Sequence, residues 1–183
     1  MLFNTVTRSM HDVGLAAWFG GTLANAVALN RAAGEAGDAS SAGAVANAGW
    51  DRWTPVNAAA IGAHLIGSVG QLVSNSDRLA AQQGVATMSM IKTGVTAAAL
   101  AATGYSRILG RKVSQYHAVP ASDATTPTAG TPAEVAAAQK QLAALQWAVP
   151  ALTGVLVLIS AYAGEQQRPH AVLGGLTRRL SLS

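Results

Sequence analysis

The sequence predicts an all-α integral membrane protein, a bundle of four transmembrane helices, on three observations. The stretch from Gln141 to Gly164 carries no charge and is long enough to cross a hydrocarbon core about 30 Å thick as a helix. Only 11% of the 183 residues are charged while 50% are apolar, against roughly 25% charged in an ordinary soluble domain. The charges also fall at the ends of apolar runs rather than in one cluster, so the chain divides into four segments of spanning length.

The first helix is expected over about residues 11–31, where VGLAAWFGGTLANAVALN runs uncharged between Asp12 and Arg31. A basic residue followed by an apolar run is also how a signal peptide begins, but a segment of this length left in place is expected to stay as a transmembrane helix. Residues 32–53, rich in Gly, Ala and Ser, are expected to form a loop, because such a composition buries too little apolar surface to make its own core. Trp50 and Trp53 close that loop and suit the head-group layer, where an amphipathic ring is satisfied on both sides.

The second helix is expected over 54–76, with Pro55 in its first turn, where a missing N–H costs nothing. Ala59, Ala63 and Gly67 recur every four residues and form one face on which a neighbouring backbone can approach closely. The third helix, over 83–109, carries a stripe of the same kind in Gly94, Ala98 and Ala102, and contains Lys92, a side chain long enough to snorkel to the head groups. Arg107, Arg111 and Lys112 follow as anchors at a membrane edge.

Residues 113–131 hold Pro120 and Pro127 among Thr, Ser and Gly and read as a solvent-exposed connection. The fourth helix is expected over 132–164, with Thr131 as N-cap, Pro132 in the first turn and Glu134 at the positive end of the dipole. Pro150 should kink it. A basic tail over 165–183 contains Arg168, Arg178 and Arg179. This single membrane domain gives four spans, so both termini share one face of a bacterial-type plasma membrane. Lys and Arg divide evenly between the two sides, and the acidic Glu35, Asp38 and Asp51 in the first loop favour cytoplasmic termini.

The net charge of +4 is expected to meet anionic lipid rather than nucleic acid, because Lys and Arg are scattered along the chain without interleaved aromatics. The absence of Cys excludes disulfides, thiolate metal sites and cysteine nucleophiles. Dinucleotide, P-loop, serine-hydrolase and zinc-protease signatures are missing, so no enzymatic activity is expected.

Ionisable and amide groups inside the spans are the candidates for function. They are Asn25, Asn57, His64, Gln71 and Lys92. His64 falls near mid-span and His11 at the mouth of the first helix, about 15 Å apart in depth, which would keep them from sharing one iron. Small-residue packing faces exceed the groups that could be active, so the expected role is an accessory or structural subunit bound to the bilayer and to other membrane protein subunits. A small transporter or ligand carrier with a polar cavity around His64 is the first alternative. A haem or copper protein using His11 or His64 is the second.

The segment His11–Gly21, HDVGLAAWFGG, resembles the opening helix of the copper-resistance D-like group of small four-helix bacterial membrane proteins, in which a His near the helix start precedes a Trp-x-Gly-Gly-like turn. The resemblance implies a helical bundle and metal handling through His11.

Overall fold

The computed structural model describes residues 2–76, 83–116 and 120–165. Four long helices account for most of them. Helix α1 spans Leu2–Ala24 and continues through a π turn at Asn25–Leu29, a further α turn at Asn30–Ala32 and a 3₁₀ turn at Ala33–Glu35. Helices α2, α3 and α4 span Ala39–Ser74, Gln83–Ser114 and Ala133–Glu165. All four are long and apolar enough to cross a membrane. Among the described residues the nearest thing to a strand is one isolated bridge between Ala121 and Pro127.

Two helices begin well before the sequence suggests. Helix α1 starts at Leu2 rather than near residue 11, because Arg8 and Asp12 form an i,i+4 pair along its surface at 3.8 Å, which a helix accommodates without interruption. Helix α2 takes up residues 39–53, which were expected as loop. Asp38 caps it, accepting from the amides of Ser40 at 2.9 Å and Ser41 at 2.8 Å, and the Ala-rich segment behind the cap has the highest helix propensity of any composition. What remains of the connection is a reversal at Gly37, whose φ of +90° only glycine adopts freely. Pro55 consequently lies in the helix interior rather than its first turn.

Helix α3 runs past residue 109 to Ser114, with Arg111 and Lys112 in the last turn, where cations complement the dipole. Helix α4 continues through Pro150. Residues 120–131 are folded rather than a free connection. Asp123 accepts from the Thr125 amide at 2.7 Å, the Thr131 hydroxyl donates to the Pro120 carbonyl at 2.6 Å, and the amides of Ala121 and Ala124 donate to the carbonyls of Ala39 and Asn30. Short polar side chains close the turn on itself, and the two amide bonds dock it on the adjoining ends of α1 and α2. Arg78, His117, His170 and the tail arginines Arg168, Arg178 and Arg179 lie outside the described residues.

Helix α1 is the centre of the bundle, packed lengthwise on α2 and on α4, and α3 packs mainly on α4. Leu15, Trp18, Ala60, Ala99 and Leu156 meet in the core. A second cluster, Leu109, Val113, Val135 and Ala138, joins α3 to α4, with the Tyr105 hydroxyl donating to Gln141 Oε1 beside it. The start of α1 lies against the end of α4, since a Cβ on Gly164 would come 3.1 Å from the Arg8 guanidinium.

Contact between α1 and α2 is backbone on backbone. A Cβ on Gly14 would sit 2.5 Å from both the Ala60 carbonyl oxygen and the His64 nitrogen, and one on Gly67 would strike the backbone at Thr7 and His11. The buried face of α2 comprises Ala42, Ala46, Asn57, Ala60, His64, Gly67 and Gly70. It shares only Gly67 with the expected stripe, for Ala59 is exposed and Ala63 half-buried. On α3 the expected stripe points away from the bundle: Gly94 and Ala98 are exposed, Ala102 is half-buried, and a Cβ on Gly94 would meet nothing. An Ala-rich helix offers small residues in every direction, so their spacing does not choose the face.

Replacing Gly67 by Val should destabilise the protein by about 1–3 kcal/mol or more, whereas Gly94→Val should stay within about 0.5 kcal/mol of the parent, both read from unfolding in mild detergent. At the cap, hydrogen bonds from the Ser40 hydroxyl first, and then from Ser41, hold the Asp38 carboxyl down at about 2. Because the folded value is the lower one, the stabilisation is complete above the ordinary carboxylate range and disappears as pH falls through about 2. Amide exchange at Ser40 and Ser41 should accelerate across that window, and Asp38→Ala should show the faster exchange already at neutral pH.

Candidate functional site

His11 on α1 and His64 on α2 are both fully buried, and their ring centroids lie 4.5 Å apart with the planes inclined by 46°. The expected 15 Å separation in depth is therefore corrected. Depth was counted from the first uncharged residue, but α1 runs on through Asp12 and Arg8 to Leu2, which puts His11 well inside the helix. The glycines at 14 and 67 bring the two backbones together on either side of the pair. Trp18 stands over it, 6.1 Å from the His64 ring, and donates its own N–H to Thr103 of α3 at 3.2 Å.

The hydrogen bonds define the tautomers. His11 Nδ1 lies 2.6 Å from Asp12 Oδ1 and His64 Nδ1 lies 3.3 Å from the His11 carbonyl oxygen. Both partners are acceptors, so each Nδ1 carries the proton and donates it. The other nitrogen of each ring, Nε2, is buried without a hydrogen-bond partner. Anchoring one ring nitrogen on an oxygen while the other stays free is also how proteins orient histidines toward a metal. Two imidazoles are nevertheless a partial donor set, and among the described residues no group of three or more His, Asp or Glu side chains is placed to hold an ion. A haem clamped between the two rings would need their centroids about 6 Å apart, from metal–nitrogen bonds near 2.0 Å, which does not fit the observed 4.5 Å.

Lys92 of α3 is half-buried and, with Asp12, close enough to act electrostatically on both rings. Gln71 Nε2 and Asn25 Nδ2 are buried without partners, as is Asn57 Oδ1. These polar groups do not enclose a common space around His64. The cavity, of about 360 Å³, lies nearer the other end of the bundle. Trp50, Trp53, Asn57, Arg107 and Gln146 help to line it, and His11, His64, Gln71 and Lys92 do not. Close approach of α1 and α2 leaves no room at the histidines.

The residues expected as interface anchors turn out to hold this end together. Trp50 donates to Asn30 Oδ1 at 3.0 Å, Arg107 pairs with Asp51 at 3.1 Å, and Lys112 pairs with Glu134 at 3.4 Å. Arg111 is exposed. Trp53 packs where a side chain at Gly21 would collide with its ring. Asn30 and Gln146 escaped the sequence reading. Asn30, 3% exposed, donates through Nδ2 to Gln146 Oε1 at 2.7 Å, and Gln146 reaches Thr125 at 3.5 Å, so the pair ties α1, α2, α4 and the docked turn together. A signal for them exists in an amide closing the first apolar run and another inside the fourth, since a buried amide needs a partner at its own depth.

No family model, curated protein or solved structure matches the chain. Fold and site define a class and no further: a four-helix bundle of membrane-crossing length with a fully buried pair of histidines and a separate cavity near one end.

Truncating His64 to Ala should cost about 2–5 kcal/mol of stability in detergent, as for other large buried side chains. Asn30→Ala should cost about 1–3 kcal/mol by leaving Trp50 Nε1 and Gln146 Oε1 unpaired. Losses below about 0.5 kcal/mol at either position would contradict the geometry described.

Proposed function

We propose that the chain is a non-enzymatic, multi-pass membrane protein that serves as an accessory subunit of a larger membrane assembly and receives its partner on the outer face of α3. The observation that carries this reading is how little of α3 the rest of the chain covers. Only 6% of its most apolar window is buried, against 22% or 28% in the other three helices. Its outward face presents Gly94, Ala98 and Ala101, all exposed, with open space beyond Gly94 and Gly104. Small residues on a membrane helix gain little from lipid tails but let a second helix approach to backbone contact, where dispersion and weak hydrogen bonds accumulate.

A second feature supports it. Arg8 and Asp12 form their ion pair on the outside of α1 with both side chains 55% exposed, well inside a helix that starts at Leu2. An exposed ion pair on a membrane-length helix is a group that the polar surface of another subunit can engage. The assembly belongs to a bacterial-type plasma membrane, and with four crossings both termini face the cytoplasm.

The test is retention of partners after gentle solubilisation from the native membrane. The parent chain should travel in a complex. A Gly94→Leu, Ala98→Leu double variant should lose that complex while its own unfolding midpoint in detergent stays put. A parent chain that runs alone as a monomer ends the proposal.

A further inference from the structure

We infer that the cavity between the four helices binds an uncharged, lipid-soluble molecule whose polar end is a hydroxyl group. This goes beyond the assembly role and rests on other residues. At about 360 Å³ the space falls in the lower range of small-molecule sites. Its walls are largely apolar, with Ile61, Leu100, Leu142, Leu145 and Val149 among them, so water filling the space would find few partners.

Two polar atoms buried in the wall are left without a partner. Trp53 Nε1 and Asn57 Oδ1 are buried and make no hydrogen bond, and both residues line the cavity. They stand four apart on α2, one turn from each other on the same side. One is a donor and the other an acceptor, and a hydroxyl is the smallest neutral group that accepts from the first and donates to the second. Trp50 is engaged with Asn30, Gln146 with Asn30 and Thr125, Thr103 with Trp18, and Thr54 with the Trp50 carbonyl, while Asn47, also in the wall, is only half-buried.

Charge decides against an ionic head group. Arg107 and Asp51 are the charged residues of the wall, and they neutralise each other at 3.1 Å. A phosphate or carboxylate would have to break that pair, whereas a neutral alcohol leaves it intact. An apolar body then fills the space between α3 and α4 while the hydroxyl sits at Trp53 and Asn57.

The experiment uses the full chain in mild detergent and 9,10-dibromostearyl alcohol, whose bromines quench tryptophan fluorescence on contact. Quenching should saturate, and the methyl ether of the same alcohol, which cannot donate, should need roughly five- to tenfold more probe for the same effect. Asn57→Leu should raise the half-saturating concentration of the alcohol by a similar factor and leave that of the ether unchanged. Leu100→Phe, which fills the space without touching either polar group, should abolish the saturable part and guards against misfolding of the first variant. Equal, non-saturating quenching by alcohol and ether would mean partition into the micelle and overturn the proposal. Tighter binding of the corresponding dibromostearic acid would overturn it as well, by showing that Arg107 recognises an anion.

Discussion

Backbone contact between α1 and α2 is the constraint on which the rest of the architecture depends. Gly14 and Gly67 remove the side chains that would otherwise hold the helices at ordinary spacing, and one consequence is that His11 and His64 meet ring to ring in the buried interior. Polar groups in such a place are held by what surrounds them. Each imidazole fixes one nitrogen on an oxygen of α1, and Trp18 closes the space above them while bonding to α3. The histidines thus lie where α1 and α2 touch backbone to backbone, and the cavity lies apart from them, toward Trp53.

At the opposite end from the chain's first residues, buried amides add to the close contacts made at Gly21, Gly34 and Gly49. Asn30 joins Trp50 and Gln146, and its carbonyl receives the Ala124 amide of the docked turn. The π turn at Asn25–Leu29 precedes this junction directly. An inserted residue of that kind rotates everything beyond it relative to the helix before it, and the residue so placed is the buried Asn30. Ion pairs from Asp51 to Arg107 and from Glu134 to Lys112 then fasten α3 at the same level.

Much of this was legible in the sequence, and the parts that were not share a cause. Four apolar segments and an all-helical bundle follow from the length of runs nearly free of charge. Helix ends do not, because a hydropathy reading stops at the first charge: Arg8 and Asp12 concealed the true start of α1, and with it the depth of His11. The capping geometry of Asp38 was equally present in the sequence, in an aspartate followed by Ser40 and Ser41, but a Gly- and Ala-rich neighbourhood drew the reading toward loop. Packing faces failed for a different reason. In a chain where alanine is everywhere, four-residue spacing of small side chains fits several faces at once, and what selected the face of α2 was the sequence of larger groups, Asn57 and His64, that had to be hidden.

The tight reversal at Gly37 has a consequence for biogenesis. It leaves so short a link between α1 and α2 that they form a helical hairpin, complete in its contacts once Ser74 has been made, and chains fold from the N-terminus during synthesis. Helix α3 emerges next into a different situation, since its principal neighbour α4 is still unmade. For that interval it is a helix of membrane-crossing length without its mate, carrying Lys92, and the order of synthesis makes it the segment most open to capture by another chain before its own fold is finished.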